Sequence, residues 1–143
     1  MPRAKSRQGS PGSLSGVKLR EGLAVALGGA LGTLARVGAD EALVGITYGA
    51  HLATLTVNIL GAFGLAFVVA HGVPRLGPAL RAGISVGFFG SYTTFSAISL
   101  LVITSNTVEA IGYLALTFGL GIAAAFLGGK WGARVRTQAV VGA

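Results

Sequence analysis

The sequence predicts an all-α membrane protein with four transmembrane helices, and three observations carry that prediction. Of the 143 residues, 52% are hydrophobic and only 10% are charged, whereas soluble domains carry about 25% charged residues. The mean hydropathy is +0.76. The apolar residues also fall into separate runs, each close to the length of about 20 residues that crosses a bilayer core. The four runs cover residues 22–39, 52–70, 80–103 (beginning at 80 or 82) and 108–129.

The chain divides into a tail, a membrane domain and a second, shorter tail. Residues 1–20 are rich in Ser, Gly, Pro, Lys and Arg and have no apolar period, so we expect a disordered basic tail. We expect residues 21–130 to form the transmembrane domain and residues 131–143 to form a short cytoplasmic tail. The polar links between the runs are too short to hold a soluble domain.

The first apolar run allows two interpretations. Basic residues followed by an apolar stretch are typical of a cleaved secretory signal peptide. This run is rich in glycine, however, and it contains Arg36. Gly28 and Gly32 lie four residues apart, a spacing of small residues that lets membrane helices approach closely. These features favour a retained helix that packs against a neighbour.

The distribution of Lys and Arg predicts the orientation. The net charge is +7, but the basic residues flank the apolar runs as topology signals do, which argues against a nucleic-acid partner. With four spans, the two tails and the link between spans two and three share one side, and only Arg36 lies towards the other. Positive flanks stay cytoplasmic, so we expect both termini in the cytoplasm. Ten of the 11 Lys and Arg residues lie on that side: Arg3, Lys5, Arg7, Lys18, Arg20, Arg75, Arg81, Lys130, Arg134 and Arg136.

Chemistry on a bound substrate has little support in the sequence. The chain has no cysteine, and its two histidines and four carboxylates are scattered, which argues against a disulfide framework, a metal cluster or an acid–base pair. We therefore expect no enzyme. A small four-helix drug exporter is a weaker alternative, because proton-coupled exporters need a titratable carboxylate inside the membrane. The carboxylates here lie at the edges of the runs: Glu21, Asp40, Glu41 and Glu109.

Polar groups inside the runs indicate passage through the membrane. Asn58 lies in the middle of the second run, where its amide needs a partner; it either bonds to a neighbouring helix or lines a polar path. Arg36 either snorkels to the interface or attracts anions in a vestibule. The third run contains GFFGSYTTFSAI at 87–98. Its glycines and hydroxyls either break the helix and release carbonyls for a cation such as Na⁺, or form a kinked helix whose hydroxyls bond back to earlier carbonyls.

Three segments of the sequence resemble one known family, the Fluc (also called CrcB) fluoride channels of bacteria and other microbes. They are GGALGTLAR in the first run, TLTVNILGAFGLAF in the second and GFFGSYTTFS in the third. With four spans, the resemblance covers nearly everything after the first tail. It implies a passive, selective F⁻ channel in the bacterial inner membrane that exports fluoride from the cytoplasm. It also implies an antiparallel dimer with two pores, in which the third helix is broken in the middle of the membrane.

The resemblance also implies roles for individual positions. Asn58 matches an asparagine that helps to coordinate fluoride, and Phe95 matches the first of two phenylalanines whose ring edges face the ion. Gly90 and Thr93 match residues whose backbone carbonyls hold a structural Na⁺ at the dimer centre. Arg36 matches an arginine near the vestibule mouth. The remaining implied positions along the ion path carry hydroxyls: Thr94, Ser96, Tyr113 and Thr117.

The chain departs from the family pattern at positions that line the pore. The family's TTFSTF is TTFSAI here, so Ala97 replaces a hydroxyl and Ile98 replaces the second phenylalanine. An isoleucine has no positive ring edge to offer an anion. In the family, span four carries polar residues at every fourth position, beginning with a tyrosine. Here Tyr113 and Thr117 fit this pattern. The two positions that should continue it carry no polar group: Gly121 and Ala125.

The charge bias and these departures lead to one hypothesis. In a homodimer of antiparallel subunits, the same sequence must insert into the membrane in both orientations. A bias of ten basic residues on one side against one on the other favours a single orientation. We therefore expect the chain to pair with an oppositely oriented paralogue, an arrangement in which one of the two pores can decay. A non-conducting structural subunit of a heterodimeric fluoride channel is the alternative, because Ile98 removes an ion-facing ring.

Overall fold

Four long helical segments make up the described part of the chain. The structure, a computed structural model, describes residues 19–72 and 76–141, and every regular element within these ranges is helical, as predicted. The expected basic tail lies almost wholly outside the described residues. The elements are α1 (Leu19–Ala42), α2 (Gly49–His71), α3 (Pro78–Ala82), a π-helix (Gly83–Phe89), α4 (Gly90–Tyr92), α5 (Phe95–Thr104) and α6 (Thr107–Val141).

Four segments are long and apolar enough to cross a membrane, which confirms the predicted number of spans. α1, α2 and α6 each supply one, and the elements within Pro78–Thr104 together form the third span. The main difference from the expected boundaries is at the end of α6. This helix continues to Val141, through most of the residues expected to form a tail. Arg, Ala and Gln are good helix formers, so the fall in hydropathy at Lys130 does not end the helix.

α1 and the third span run parallel and in close contact. Gly28 lies against the backbone of Gly83, and Gly32 lies against the carbonyl of Phe88. A methyl group at Gly28 or Gly32 would overlap those backbone atoms, so a larger residue would force the two helices apart. The spacing of these two glycines therefore has the role that the sequence predicts, and α1 packs as a retained helix does.

α2 and α6 form a second parallel pair. Gly128 and Gly132 of α6 lie against the backbones of Phe63 and Phe67 of α2. Trp131 covers the same two rings, with its centroid 5.9 Å from that of Phe63 and 5.5 Å from that of Phe67. Because residue numbers rise together along both helices of each pair, and short links join consecutive spans, the two pairs run antiparallel to each other.

The third span is interrupted between α4 and α5. α4 ends at Tyr92, and the next two residues have extended backbones, with φ −78° and ψ 155° at Thr93 and φ −147° and ψ 125° at Thr94. α5 then begins at Phe95. Two consecutive residues without helical dihedrals leave backbone groups of the flanking turns without helical partners. The side chains around this interruption form the candidate site.

Candidate functional site

Asn58 of α2 holds the interruption of the third span. Its Nδ2 donates to the Thr94 carbonyl (3.1 Å), and its Oδ1 accepts from the Thr94 amide (2.9 Å). One side-chain amide thereby satisfies a backbone donor and a backbone acceptor that have no helical partner at the break. The helix–helix hydrogen bond that the sequence allows for Asn58 is therefore present, and its partner is backbone.

The two threonines at the interruption bond in different ways. The Thr94 hydroxyl accepts from the Ala97 amide (3.2 Å), which caps the start of α5, and it shares a hydrogen bond with the Ser96 hydroxyl (3.0 Å). The Thr93 hydroxyl donates instead to the Phe89 carbonyl (2.9 Å), four residues earlier. The Thr93 hydroxyl therefore bonds back to the helix before the break, whereas the Thr94 hydroxyl caps the helix after it.

Because of these bonds, two backbone carbonyls, those of Gly90 and Thr93, lack the amide that would bond to them in a regular helix. In an uninterrupted helix, the Gly90 carbonyl would accept from the Thr94 amide, and the Thr93 carbonyl would accept from the Ala97 amide. Here the first amide bonds to Asn58 and the second to the Thr94 hydroxyl. A methyl group at Gly90 would meet nothing within 4 Å. Carbonyl oxygens of a broken helix can coordinate Na⁺, so the donor chemistry at Gly90 and Thr93 fits the cation that the resemblance implies.

An open groove with a volume of about 420 Å³ lies beside the interruption. Its walls come from α2, the third span and α6. The structure therefore brings residues from three spans, far apart in the sequence, onto one surface. The predicted site residues that line the groove are Asn58, Thr93, Thr94, Phe95 and Thr117.

Two hydrogen-bond donors at the groove have no partner among the described residues. The Asn58 Nδ2 carries two hydrogens, and its bond to Thr94 uses one of them. Thr117 is 4% exposed, and within the described residues its hydroxyl makes no hydrogen bond. A buried hydroxyl without a partner costs free energy. Neither donor would have to break an existing bond to meet a ligand, but the Thr117 hydroxyl is buried and lies behind the groove surface.

The remaining walls of the groove are apolar. Phe95 is 68% exposed, and an aromatic ring presents a positive edge. Ile98 is 5% exposed and lines the same groove, so an aliphatic side chain occupies the place where the resemblance implies a second ring. Gly121 and Ala125 also line the groove. The stripe on α6 that begins at Thr117 therefore faces the groove, but it offers no further polar group there.

Four predicted site residues do not line the groove: Arg36, Gly90, Ser96 and Tyr113. Arg36 donates from Nε to the Ser91 carbonyl (3.4 Å), which ties α1 to the turn before the interruption. Ser96 bonds to the Thr94 hydroxyl on the exposed side of α5. This bond to a backbone carbonyl of the third span decides between neither of the two settings expected for Arg36.

Tyr113 belongs to a polar cluster that the sequence analysis missed. Its hydroxyl donates to the His51 carbonyl (3.3 Å), and the two rings meet edge to face at 5.0 Å. His51 Nε2 lies 3.4 Å from the Ser105 hydroxyl. Tyr113 lies one turn before Thr117 on α6, and Thr117 lines the groove, so the cluster adjoins the groove. The available signal was the spacing of polar residues at 51, 54 and 58, which places them on one face of α2.

Gly61 is a second position that the sequence analysis did not single out. It follows Asn58 by three residues on α2, and a methyl group there would overlap the side chain of Thr93. Gly64, one turn further, lies in the same way against the ring of Phe89. These two glycines let the third span approach α2 closely enough for the Asn58 amide to reach the backbone of Thr94.

A family comparison establishes the relationship of the chain. The model of the family described as CrcB-like protein, Camphor Resistance (CrcB), matches residues 23–129. The chain belongs to this family. The matched range includes every residue that lines the groove and most of all four spans. A chain of the CrcB-like family with four such helices is a multi-pass membrane protein.

Individual relatives within the family are similar over different shares of their length. A fluoride-specific ion channel FluC from Saccharophagus degradans is 48% identical over 80 residues, which cover 54% of this chain and 60%, less than two thirds, of that protein. The fluoride-specific ion channel FluC 2 from Symbiobacterium thermophilum is 38% identical over 119 residues, 78% of this chain and 97% of that protein. A fluoride-specific ion channel FluC from Methanopyrus kandleri is 40% identical over 121 residues, 81% of this chain and 91% of that protein.

Proposed function

We propose that the chain is a subunit of a fluoride-selective ion channel. Through this channel F⁻ leaves the cytoplasm passively, which lowers the toxicity of fluoride to the cell. The observation that carries this proposal is the groove, which Asn58, Phe95 and Thr117 line together, with one N–H of Asn58 unused. The names of the relatives support the choice of fluoride as the anion.

The chemistry of fluoride matches these groups. Fluoride is a small, hard and strongly hydrated anion, so a path that removes its water must replace that water with donors. Two hydrogen bonds to Thr94 hold the Asn58 amide in one orientation, so its second N–H keeps a fixed direction. Hydrogen bonds to a charged group contribute about 1.5–3 kcal/mol each. The positive edge of Phe95 adds attraction without a strong binding site that would slow release.

The proposal includes a structural Na⁺ at the interruption of the third span. The carbonyls of Gly90 and Thr93 would hold it, since their helical donors are diverted to side chains. A bound cation would supply a fixed positive charge beside the broken backbone. The described chain offers two such carbonyls, and a second subunit across a dimer axis would contribute its own pair.

An antiparallel dimer completes the site in this proposal. The groove is open on one side, and Phe95, at its edge, is 68% exposed. One subunit therefore encloses the ion path only in part. A second subunit of opposite direction would cover this face and bring its own broken helix next to Gly90, where a methyl group would meet nothing within 4 Å.

The partner in this dimer is an oppositely oriented paralogue. In the sequence, ten of the 11 Lys and Arg residues flank the apolar runs on the side of the two tails, and Arg36 contacts the Ser91 carbonyl within the bundle. This bias favours one orientation, with both termini in the cytoplasm and the spans in the cell membrane of a bacterium. An antiparallel pair then needs a second chain whose basic residues lie at the other end.

Fluoride efflux from liposomes tests the function and the pairing together. Liposomes loaded with potassium fluoride would contain this chain alone, or this chain with a second four-span family member from the same organism, and a fluoride electrode would follow release. We expect rapid fluoride efflux and no chloride efflux from the pair, and little from the single chain. Equal chloride and fluoride efflux would overturn the proposed selectivity. Full efflux from the single chain would overturn the need for a partner.

Reporter fusions test the orientation separately. A reporter active only in the cytoplasm and one active only in the periplasm would be fused in turn to each terminus. We expect cytoplasmic signal from both termini. Substantial periplasmic signal from either terminus would contradict a single fixed orientation, and it would leave the efflux result to decide the function independently.

A non-conducting structural subunit is the second candidate, and the apolar groove wall favours it. Ile98 stands where the resemblance implies a second ring, and Gly121 and Ala125 add no hydroxyl beyond that of Thr117. A Thr117→Val change in this chain alone, compared with the matching hydroxyl removed from the partner alone, separates the two. Slower efflux from the first variant supports a conducting role. An effect only from the partner's variant supports a structural role.

A further inference from the structure

The last part of α6 lies at one end of the bundle, beyond the apolar stretch of the helix. α6 has 35 residues, which correspond to about 52 Å at 1.5 Å per residue, whereas a hydrocarbon core is about 30 Å thick. The register of α6 against α2 shows which part of α6 extends beyond the hydrocarbon core. The Arg136 side chain lies beside Gly72, which is the C-terminal cap of α2. The final turns of α6 are therefore level with the end of α2, where the membrane interface begins.

One face of this region is polar and basic. A surface concavity of about 550 Å³ is lined by Lys130, Ala133, Arg134, Thr137 and Gln138. Their spacing of three, four, seven and eight residues places them on a single face of α6. We call this face the basic stripe. The neighbouring face of the same turns packs on α2 through Gly132 and Trp131, so the basic stripe points away from the α2 contact.

No acidic residue of α6 neutralises the basic stripe. The last acidic residue in the sequence is Glu109, at the other end of the helix. Glu21 lies at the same end of the bundle as the stripe but on α1, and within the described residues α1 and α6 do not contact each other. The Lys130 ammonium lies 5.7 Å from the centre of the Phe126 ring, a contact that restrains the side chain while leaving N–H groups for a ligand.

We propose that the basic stripe binds the phosphate of an anionic phospholipid in the leaflet at the end of the bundle that carries both termini. Arg134 offers the planar fork that fits a phosphate, and Lys130 offers a compact positive charge. Thr137 and Gln138 can bond the polar part of the headgroup. Trp131 is 57% exposed and lies where the apolar stretch of α6 ends, and Trp is enriched at the headgroup level. The inference holds whichever ion the channel carries.

Trp131 provides a native probe for this proposal, because it is the only tryptophan in the chain. The assembled protein would be placed in bilayers in which either phosphatidylglycerol or phosphatidylcholine carries bromine, which quenches tryptophan fluorescence at short range. At equal mole fraction, we expect stronger quenching by the brominated phosphatidylglycerol. Equal quenching by the two lipids would overturn the proposal.

Charge-removing variants identify the residues responsible. Lys130→Gln and Arg134→Gln should each lower the association constant of phosphatidylglycerol relative to phosphatidylcholine by about fivefold, the effect expected for one basic residue near a charged surface. Arg20→Gln is the matched control, because it removes the same charge at the same end of the bundle from a helix that does not touch α6. An equal loss with Arg20→Gln would mean that net charge, not the basic stripe, attracts the lipid.

A salt titration of the unaltered protein keeps the proposal testable if either variant fails to fold. Exposed charge pairs weaken as the Debye length falls from about 10 Å at 0.1 M salt to about 3 Å at 1 M. The preference for brominated phosphatidylglycerol should therefore shrink steadily over that range. A preference independent of salt would contradict binding through Lys130 and Arg134.

Discussion

The seam between the third span and its neighbours differs sharply from the α6 wall of the groove. In the seam, Gly28 and Gly32 touch the backbone of the third span, and the Asn58 amide bonds twice to Thr94. On the α6 wall, the Thr117 hydroxyl has no partner within the described residues, and a methyl group at Gly121 would meet nothing within 4 Å. The close glycine contacts leave no spare space in the seam, whereas the α6 wall has open space beside Gly121 and a hydroxyl without a partner. The two regions should therefore respond in opposite ways to added or removed atoms.

The largest effect is expected from Asn58→Leu in the seam. This change keeps the approximate size of the side chain but leaves the Thr94 amide and carbonyl without partners. Each buried unpaired group costs about 1–3 kcal/mol, so the change should lower the free energy of unfolding by about 2–6 kcal/mol and abolish fluoride efflux. Thermal unfolding in detergent and the liposome assay would measure the two effects.

Thr56→Val is the matched control for Asn58→Leu. Thr56 lies two residues earlier on α2 and is exposed. The substitution therefore removes a polar group from the same helix without affecting the interruption. Stability and efflux should both stay close to those of the unaltered protein. If Asn58→Leu proved as mild as Thr56→Val, the two hydrogen bonds to Thr94 would not be what holds the interruption.

A pair of glycine changes on α1 tests the tight contact in the seam. Gly32→Ala would drive a methyl group into the Phe88 carbonyl, and overpacking of this kind costs about 1–3 kcal/mol. Gly38→Ala adds the same methyl group where nothing lies within 4 Å, and it should stabilise the helix by about 0.5–1 kcal/mol. Unfolding in detergent would measure both variants. Equal responses would show that α1 is not held in the register described.

Thr117→Val on the α6 wall should separate stability from conduction. The hydroxyl has no hydrogen bond to lose, so its replacement by a methyl group should leave the free energy of unfolding unchanged or raise it by on the order of 1 kcal/mol. The same change removes a donor from the proposed ion path. Because a hydrogen bond to a charged group contributes about 1.5–3 kcal/mol, efflux should fall about tenfold or more. Thr117→Ser, which keeps the hydroxyl, should retain most of the efflux; parallel losses of stability and efflux in Thr117→Val would contradict the assignment.

The sequence predicted the seam more completely than the details of the site. Four apolar runs and the spacing of Gly28 and Gly32 were sufficient to place the spans and one close helix contact, because both follow from local periodicity. The partner of Asn58 was not predictable in this way. Thr94 lies 36 residues away in sequence, and the pairing depends on the relative register of two helices, which no local pattern specifies. The spacing of polar residues on α2 indicated one side of the cluster around His51, but its partner Tyr113 lies 62 residues away and was not predictable from that spacing.

The end of α6 shows a different limit of the sequence analysis. Hydropathy falls at Lys130, so the fourth span was expected to end there, yet the helix continues to Val141. Hydropathy reports where lipid ends, whereas helix propensity and the contacts of Gly132 with α2 decide where the helix ends. The expected tail and the observed helix therefore describe two different boundaries of the same element.

The smallest effect is expected from Gly121→Ser, which adds to the α6 wall the hydroxyl that its polar track lacks. The new side chain enters open space, so the free energy of unfolding should change by less than about 0.5 kcal/mol. A single added hydrogen bond contributes about 0.5–1.5 kcal/mol, so efflux through this groove should rise by about two- to tenfold if the groove conducts. Ala125→Ser, one turn further along the same wall, should act in the same direction. A loss of stability comparable to that of Gly32→Ala would contradict the contrast between the two regions. If efflux is unchanged in both serine variants and also in Thr117→Val, the groove of this subunit is the pore that has decayed.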